Sequence, residues 1–151
     1  MGESKQVSAS RVIAAPADKI FTVLADPRQH CEIDGSGTVQ SSKETEPDRL
    51  ELGSKFGMSM HAGMRYSISN EVVEFEEGRL IGWRHMGHHV WRYELEAVEG
   101  GTSVTETFDW RKARAGFAYP WFSVPKKNLA SIEKTLERLD AHVTGSDSDA
   151  S

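Results

Sequence analysis

The tightest constraint on this chain is a pair of adjacent glycines flanked by two alternating segments. Glu99-Gly100-Gly101-Thr102 joins 91–98 to 102–110, and in both segments most alternate residues are apolar or aromatic. A two-residue Gly-Gly loop closes an antiparallel hairpin and sets its register. With both glycines in the loop, Trp91 faces Trp110, Tyr93 faces Phe108, Leu95 faces Glu106 and Ala97 faces Val104 on one side. Arg92 with Asp109, Glu94 with Thr107 and Glu96 with Thr105 take the other. One face is aromatic and one is charged, so the hairpin requires an apolar cover on one side.

The cover lies downstream. Between Ser123 and Val143, Leu129, Ile132, Leu136, Leu139 and Val143 recur at intervals of three and four, the signature of an amphipathic helix. Ser123 is placed to cap it and Pro125 is tolerated in its first turn, while Lys126, Lys127, Glu133, Lys134, Glu137, Arg138 and Asp140 fall largely on the wet side. Upstream, 6–14 alternates as a strand. Pro16 and Asp18 introduce the short helix IFTVL, Asp26-Pro27 stops it, and a second helical turn follows around Arg28 to Cys31. After the Asp34-Gly35 turn the chain reads as strands at about 36–44, 53–61, 64–76, 79–86, 89–98 and 102–111. Their close spacing favours antiparallel meanders over crossovers. The expected fold is therefore α+β, a seven-stranded antiparallel sheet with two short helices after the first strand and one long C-terminal helix.

A chain of 151 residues is one domain's length, expected at 6–143, with 144–151 as a disordered acidic tail. Lys and Arg number 18 against 23 Asp and Glu, and they are scattered, which excludes the clustered positive charge that nucleic acid requires. The apolar runs are too short to insert in a membrane, and MGESKQVSAS lacks the apolar core of a secretory signal. The lone Cys31 permits no internal disulfide. The expected compartment is the cytoplasm, and the expected state a monomer or weak homodimer.

The order strand, helix pair, six-strand meander, long helix resembles the SRPBCC superfamily, with its START and Bet v 1-like helix-grip fold, and within it the polyketide cyclase/dehydrase-like branch. The residues carrying the resemblance are APADKIFTVLADP at 15–27, IDGSG at 33–37, GSKFGMSM at 53–60, VVEFEEGRLIGWR at 72–84, WRYELE at 91–96 and GGTSVTETFDW at 100–110. It implies a curved sheet wrapped around the terminal helix, with a ligand cavity between them. It implies no cofactor and names no ligand, because superfamily members carry lipids, sense hormones, cyclise polyketides or activate chaperones, and fold alone does not separate these.

Glu106 is the most informative residue, since the hairpin turns it inward among Leu95, Val104 and Phe108. A buried carboxylate is costly unless paired. It is either a proton-transfer or ligand-binding group, or the partner of an interior side chain, with Tyr66, Arg84 and His85 the candidates. Those four residues are also the candidate catalytic set. Phe56, Met58 and Met60 share a strand face, and with Trp83, Trp91, Tyr93, Phe108 and Trp110 they form the expected apolar wall. Tyr119, Trp121 and Phe122 lie in a Gly- and Pro-containing segment that serves either as a lid or as the docking loop before the last helix. His85, His88 and His89 read as loop residues without metal-ligand spacing, although His85 shares a face with Trp83; no metal is expected. No activated nucleophile stands out. The sequence favours binding of a small hydrophobic molecule (lipid, polyketide or aromatic metabolite) over two alternatives, a cyclase, aromatase or dehydratase using polar cavity residues and a protein-interaction module of the chaperone-activator kind. Whether the chain is an enzyme stays open at this stage.

Overall fold

In the computed structural model, residues 6–33, 39–42, 49–61, 65–84, 89–109 and 124–145 are described, with side chains at all of these except 31, 39–42, 58–61, 65–68 and 124–128. The elements run β1 (Gln6–Ile13), α1 (Ala17–Leu24), a 3-10 turn (Pro27–Gln29), α2 (His30–Ile33), β2 (Val39–Ser42), β3 (Lys55–His61), β4 (Arg65–Glu76), β5 (Leu80–Arg84), β6 (Val90–Val98), β7 (Gly101–Asp109) and α3 (Val124–Thr144). Among the described residues seven strands form one curved antiparallel sheet in the order β1-β7-β6-β5-β4-β3-β2. From β2 to β7 each strand pairs with its sequence neighbour, and β1 returns to close on β7. The helix-grip architecture expected from the element order is the one observed. α3 ends at Thr144 and is followed by Gly145 at φ 80, and 146–151 lie outside the described residues.

Alternation decides which side of the sheet is covered. Ile81, Trp83, Tyr93, Leu95, Val104 and Phe108 are buried on one face, and Ile132, Leu136, Leu139 and Val143 of α3 are buried in the same core. Leu129 is half-buried at the start of that stripe. α3 also packs along β1, where Arg11 Nε donates to Asp140 Oδ2 at 2.8 Å.

The hairpin register differs from the sequence reading by two residues. Trp91 faces Phe108, Tyr93 faces Glu106, Leu95 faces Val104 and Ala97 faces Thr102. The turn is made by Glu99 and Gly100, whereas Gly101 pairs with Val98 as the first residue of β7. The second glycine serves a close approach instead of the loop: a Cβ there would stand 2.0 Å from the Ile13 carbonyl oxygen, where the end of β1 passes over it. Thr102 Oγ1 then donates to the Ala15 carbonyl at 2.8 Å and fixes the chain as it leaves β1. A slip of two residues preserves both faces, so the inward set stands although its partners change.

The segment between β1 and β2 is pinned by side chains. Asp26 accepts from the Arg28 backbone N–H and side chain at 3.0 Å and from Gln29 Nε2 at 3.0 Å. Burial alone would raise the Asp26 carboxyl, but these hydrogen bonds outweigh it and hold the group below its usual range. Gln29 Oε1 in turn accepts from His142 Nε2 of α3 at 2.7 Å. The start of α2 is thereby tied to the terminal helix.

Candidate functional site

Rows of side chains cross the inner face of the sheet. Val72, Trp83, Trp91, Phe108 and Val7 stand opposite one another in one row, and Phe75, Ile81, Tyr93, Glu106 and Ala9 in the next. Trp91 and Phe108 rings lie 4.6 Å apart, and Trp83 lies 5.7 Å from Tyr93. Trp83, Tyr93 and Phe108 are buried, and Trp91 is half-buried against the core. Glu106 is 4% exposed in the middle of this aromatic ground. The reading that turned it inward agrees with its place, and its neighbour across β6 is Tyr93.

Two candidate partners of Glu106 can be located. Arg84 is not on this face: it follows Trp83 by one residue, so alternation sends it outward, where its Nη2 meets Glu71 Oε1 at 3.4 Å with its side chain 40% exposed. It drops out of the catalytic set. Tyr66 lies in β4 opposite Met60, but its side chain is outside the described residues, as are those of Met58 and Met60. His85, Trp110, Tyr119, Trp121 and Phe122 also lie outside the described residues. Phe56, from the same stripe as the methionines, is buried.

Three polar residues missing from the candidate set reach the inner face or its border. His30, at the start of α2, is buried, stacks on Trp83 at 4.9 Å and meets Phe56 edge-on at 5.6 Å. Its Nε2 lies 2.9 Å from the Leu24 carbonyl, and since a carbonyl can only accept, Nε2 carries the proton. His89, read as a solvated loop residue, instead stacks on Phe108 at 5.6 Å and is half-buried. Asn70 in β4 stands opposite Phe56 and is 2% exposed. Asn70 was within reach of the alternation rule, because it falls in step with Val72. His30 was not, because its contact with Trp83 spans elements far apart in sequence.

The outer face answers its own charges. Arg92 Nε and Nη2 donate to Glu74 at 2.7 and 2.8 Å, and Nη1 donates to Asp109 at 3.1 Å. The Glu74 hydrogen bonds raise the guanidinium's proton affinity against the effect of burial. Gly82 of β5 lies between them, and its missing side chain leaves room for the Glu74 carboxylate to cross.

Among the described residues no three His, Cys, Asp or Glu side chains converge to hold a metal ion, and no helix is long and apolar enough to cross a membrane.

The family model described as polyketide cyclase / dehydrase and lipid transport matches residues 4–144. The uncharacterized protein Rv0088 of Mycobacterium tuberculosis is 41% identical over 140 residues, which cover 89% of this chain and 62% of that one. The chain thus spans less than two thirds of the curated relative's length. Among solved structures, the AHSA1-like protein from Aeromonas hydrophila superposes with a TM-score of 0.70 at 16% identity, covering 94% of each chain. The polyketide cyclase-like protein Cgl2372 from Corynebacterium glutamicum superposes with a TM-score of 0.55 at 25% identity, covering 96% of this chain and 86% of that one.

Proposed function

Because this chain belongs to the polyketide cyclase / dehydrase and lipid transport family, within the SRPBCC superfamily, we propose that it binds a small, largely apolar molecule between the inner face of its sheet and α3. The carrying observation is Glu106, a carboxyl group 4% exposed on the face that also carries Trp83, Trp91, Tyr93 and Phe108. A carboxyl group is costly to hold in an apolar core, where an apolar residue of similar volume is often as stable or more so. A binding site does, because aromatic walls supply contact area and a few placed polar groups supply orientation. The guest is a lipid, a polyketide or an aromatic metabolite.

The test is native mass spectrometry of freshly purified protein, which should show an adduct that organic solvent removes. An adduct-free spectrum, together with failure of any apolar dye to bind, would overturn the reading. Glu106→Gln should weaken the guest by about 1–3 kcal/mol, the cost of spoiling a buried polar contact, while the fold persists.

A second reading, cyclisation or dehydration of a polyketide chain in the same place, is favoured by one observation. Glu106 and Tyr93, both able to exchange protons, stand directly opposite each other on β7 and β6. In that case Glu106→Gln abolishes turnover of a true substrate instead of only loosening its grip.

A further inference from the structure

We infer that Asn70 recognises a neutral oxygen-bearing group, a carbonyl or a hydroxyl, on the bound molecule. This rests on the proposed binding function and adds to it the chemistry of the guest. Asn70 is 2% exposed on the inner face, with Phe56 opposite it and Val72 two positions along the strand, itself opposite Trp83. Its Oδ1 and Nδ2 are both buried, and among the described residues neither has a hydrogen-bond partner. An amide presents an acceptor and two donors, and native proteins almost always satisfy them when buried. Leaving both ends unmet costs more than one hydrogen bond returns on balance, so an aliphatic residue of similar volume would suit the empty protein better.

A guest with a carbonyl accepts from Nδ2, and one with a hydroxyl also donates to Oδ1. Charge narrows the class. The Asn70 amide carries no charge, and the buried polar set of the described residues contains no Lys or Arg, so a neutral oxygen is the group it matches. A site that hydrogen-bonds one oxygen discriminates against the analogue without it, whereas apolar contact alone distinguishes such pairs poorly.

The experiment uses two probes of matched shape, 2-acetylnaphthalene and 2-isopropenylnaphthalene, titrated by displacement of an apolar dye from the full chain and from Asn70→Leu. The wild-type chain should bind the ketone on the order of tenfold more tightly, the worth of one buried hydrogen bond. Asn70→Leu should bind the two alike, at the wild-type affinity for the isopropenyl compound, and the empty variant should unfold at a higher temperature than wild type. Equal affinities in the wild type, or a ketone preference that survives in Asn70→Leu, overturn the inference while leaving the binding function intact. A lower unfolding temperature for the empty variant also overturns it, since the amide would then be satisfied without a guest. If neither probe nor dye binds the wild type, the binding function itself falls and takes this inference with it.

Discussion

The two faces of the sheet treat polarity in opposite ways. On the outer face Arg92 is held between Glu74 and Asp109, and Gly82 gives up its side chain so that the pair can meet. On the inner face, through the same backbone, Asn70 and Glu106 are set among apolar and aromatic side chains, and His30 of α2 stacks on Trp83 from above the sheet. The outer charges complete one another within the chain, so their contribution is to stability. The Asn70 amide finds no complement among the described residues, and its contribution falls due when something else arrives. Polar groups that answer each other are architecture, and one that waits in an apolar wall is a binding device.

Three substitutions test that contrast. The largest effect is expected inside, where Leu136→Ala should destabilise the chain by about 2–5 kcal/mol, the usual range for a buried leucine, measured by denaturant unfolding. A cost well under that range would place open space beside α3 and sharpen the inner face as a binding surface. Next, Arg92→Met should cost about 3 kcal/mol, the lower end for removing one member of a buried ionic group, because Asp109, with a side chain 6% exposed, loses this donor. Dye binding should be unchanged in this variant, and a lost affinity would break the division of labour between the faces. The smallest is Gly82→Ala, at about 1 kcal/mol, the low end for an added methyl in a packed place. Its Cβ would stand 2.9 Å from Glu74 Oε1 and 3.2 Å from Arg92 Cβ. Combined with Arg92→Met it should cost less than the two changes separately, since both act on one cluster.

How far the sequence disclosed this arrangement depended on the period of the pattern. The inner face of the hairpin was legible because alternation is insensitive to a two-residue slip, and Glu106 kept its place although Tyr93, not Leu95, stands opposite it. The register was not legible, because two adjacent glycines look alike on paper, and only the passage of Ile13 over Gly101 tells the packing glycine from the turn glycine. Arg84 follows Trp83 by one residue, and the alternation that turns the indole inward sends the guanidinium outward to Glu71. The α3 stripe was plain because Ile132, Leu136, Leu139 and Val143 keep helical spacing without interruption. His30 depended on the way α2 folds back over Trp83, and no local pattern encodes that.

The pairing of β1 with β7 also has a consequence in time. Gln6 stands opposite Asp109 across the ladder and Ile13 opposite Thr102, so the first strand made must wait for the last before it has a neighbour. At ribosomal rates of about 5–20 residues per second, that is a delay of roughly 5–20 s during synthesis. The meander from β2 to β7 can assemble hairpin by hairpin as it emerges, but its closure is a long-range event and belongs to the slow class of folding steps. The aromatic wall would then be laid down with one flank open, and the nascent chain has an interval in which that surface is bare to whatever surrounds it.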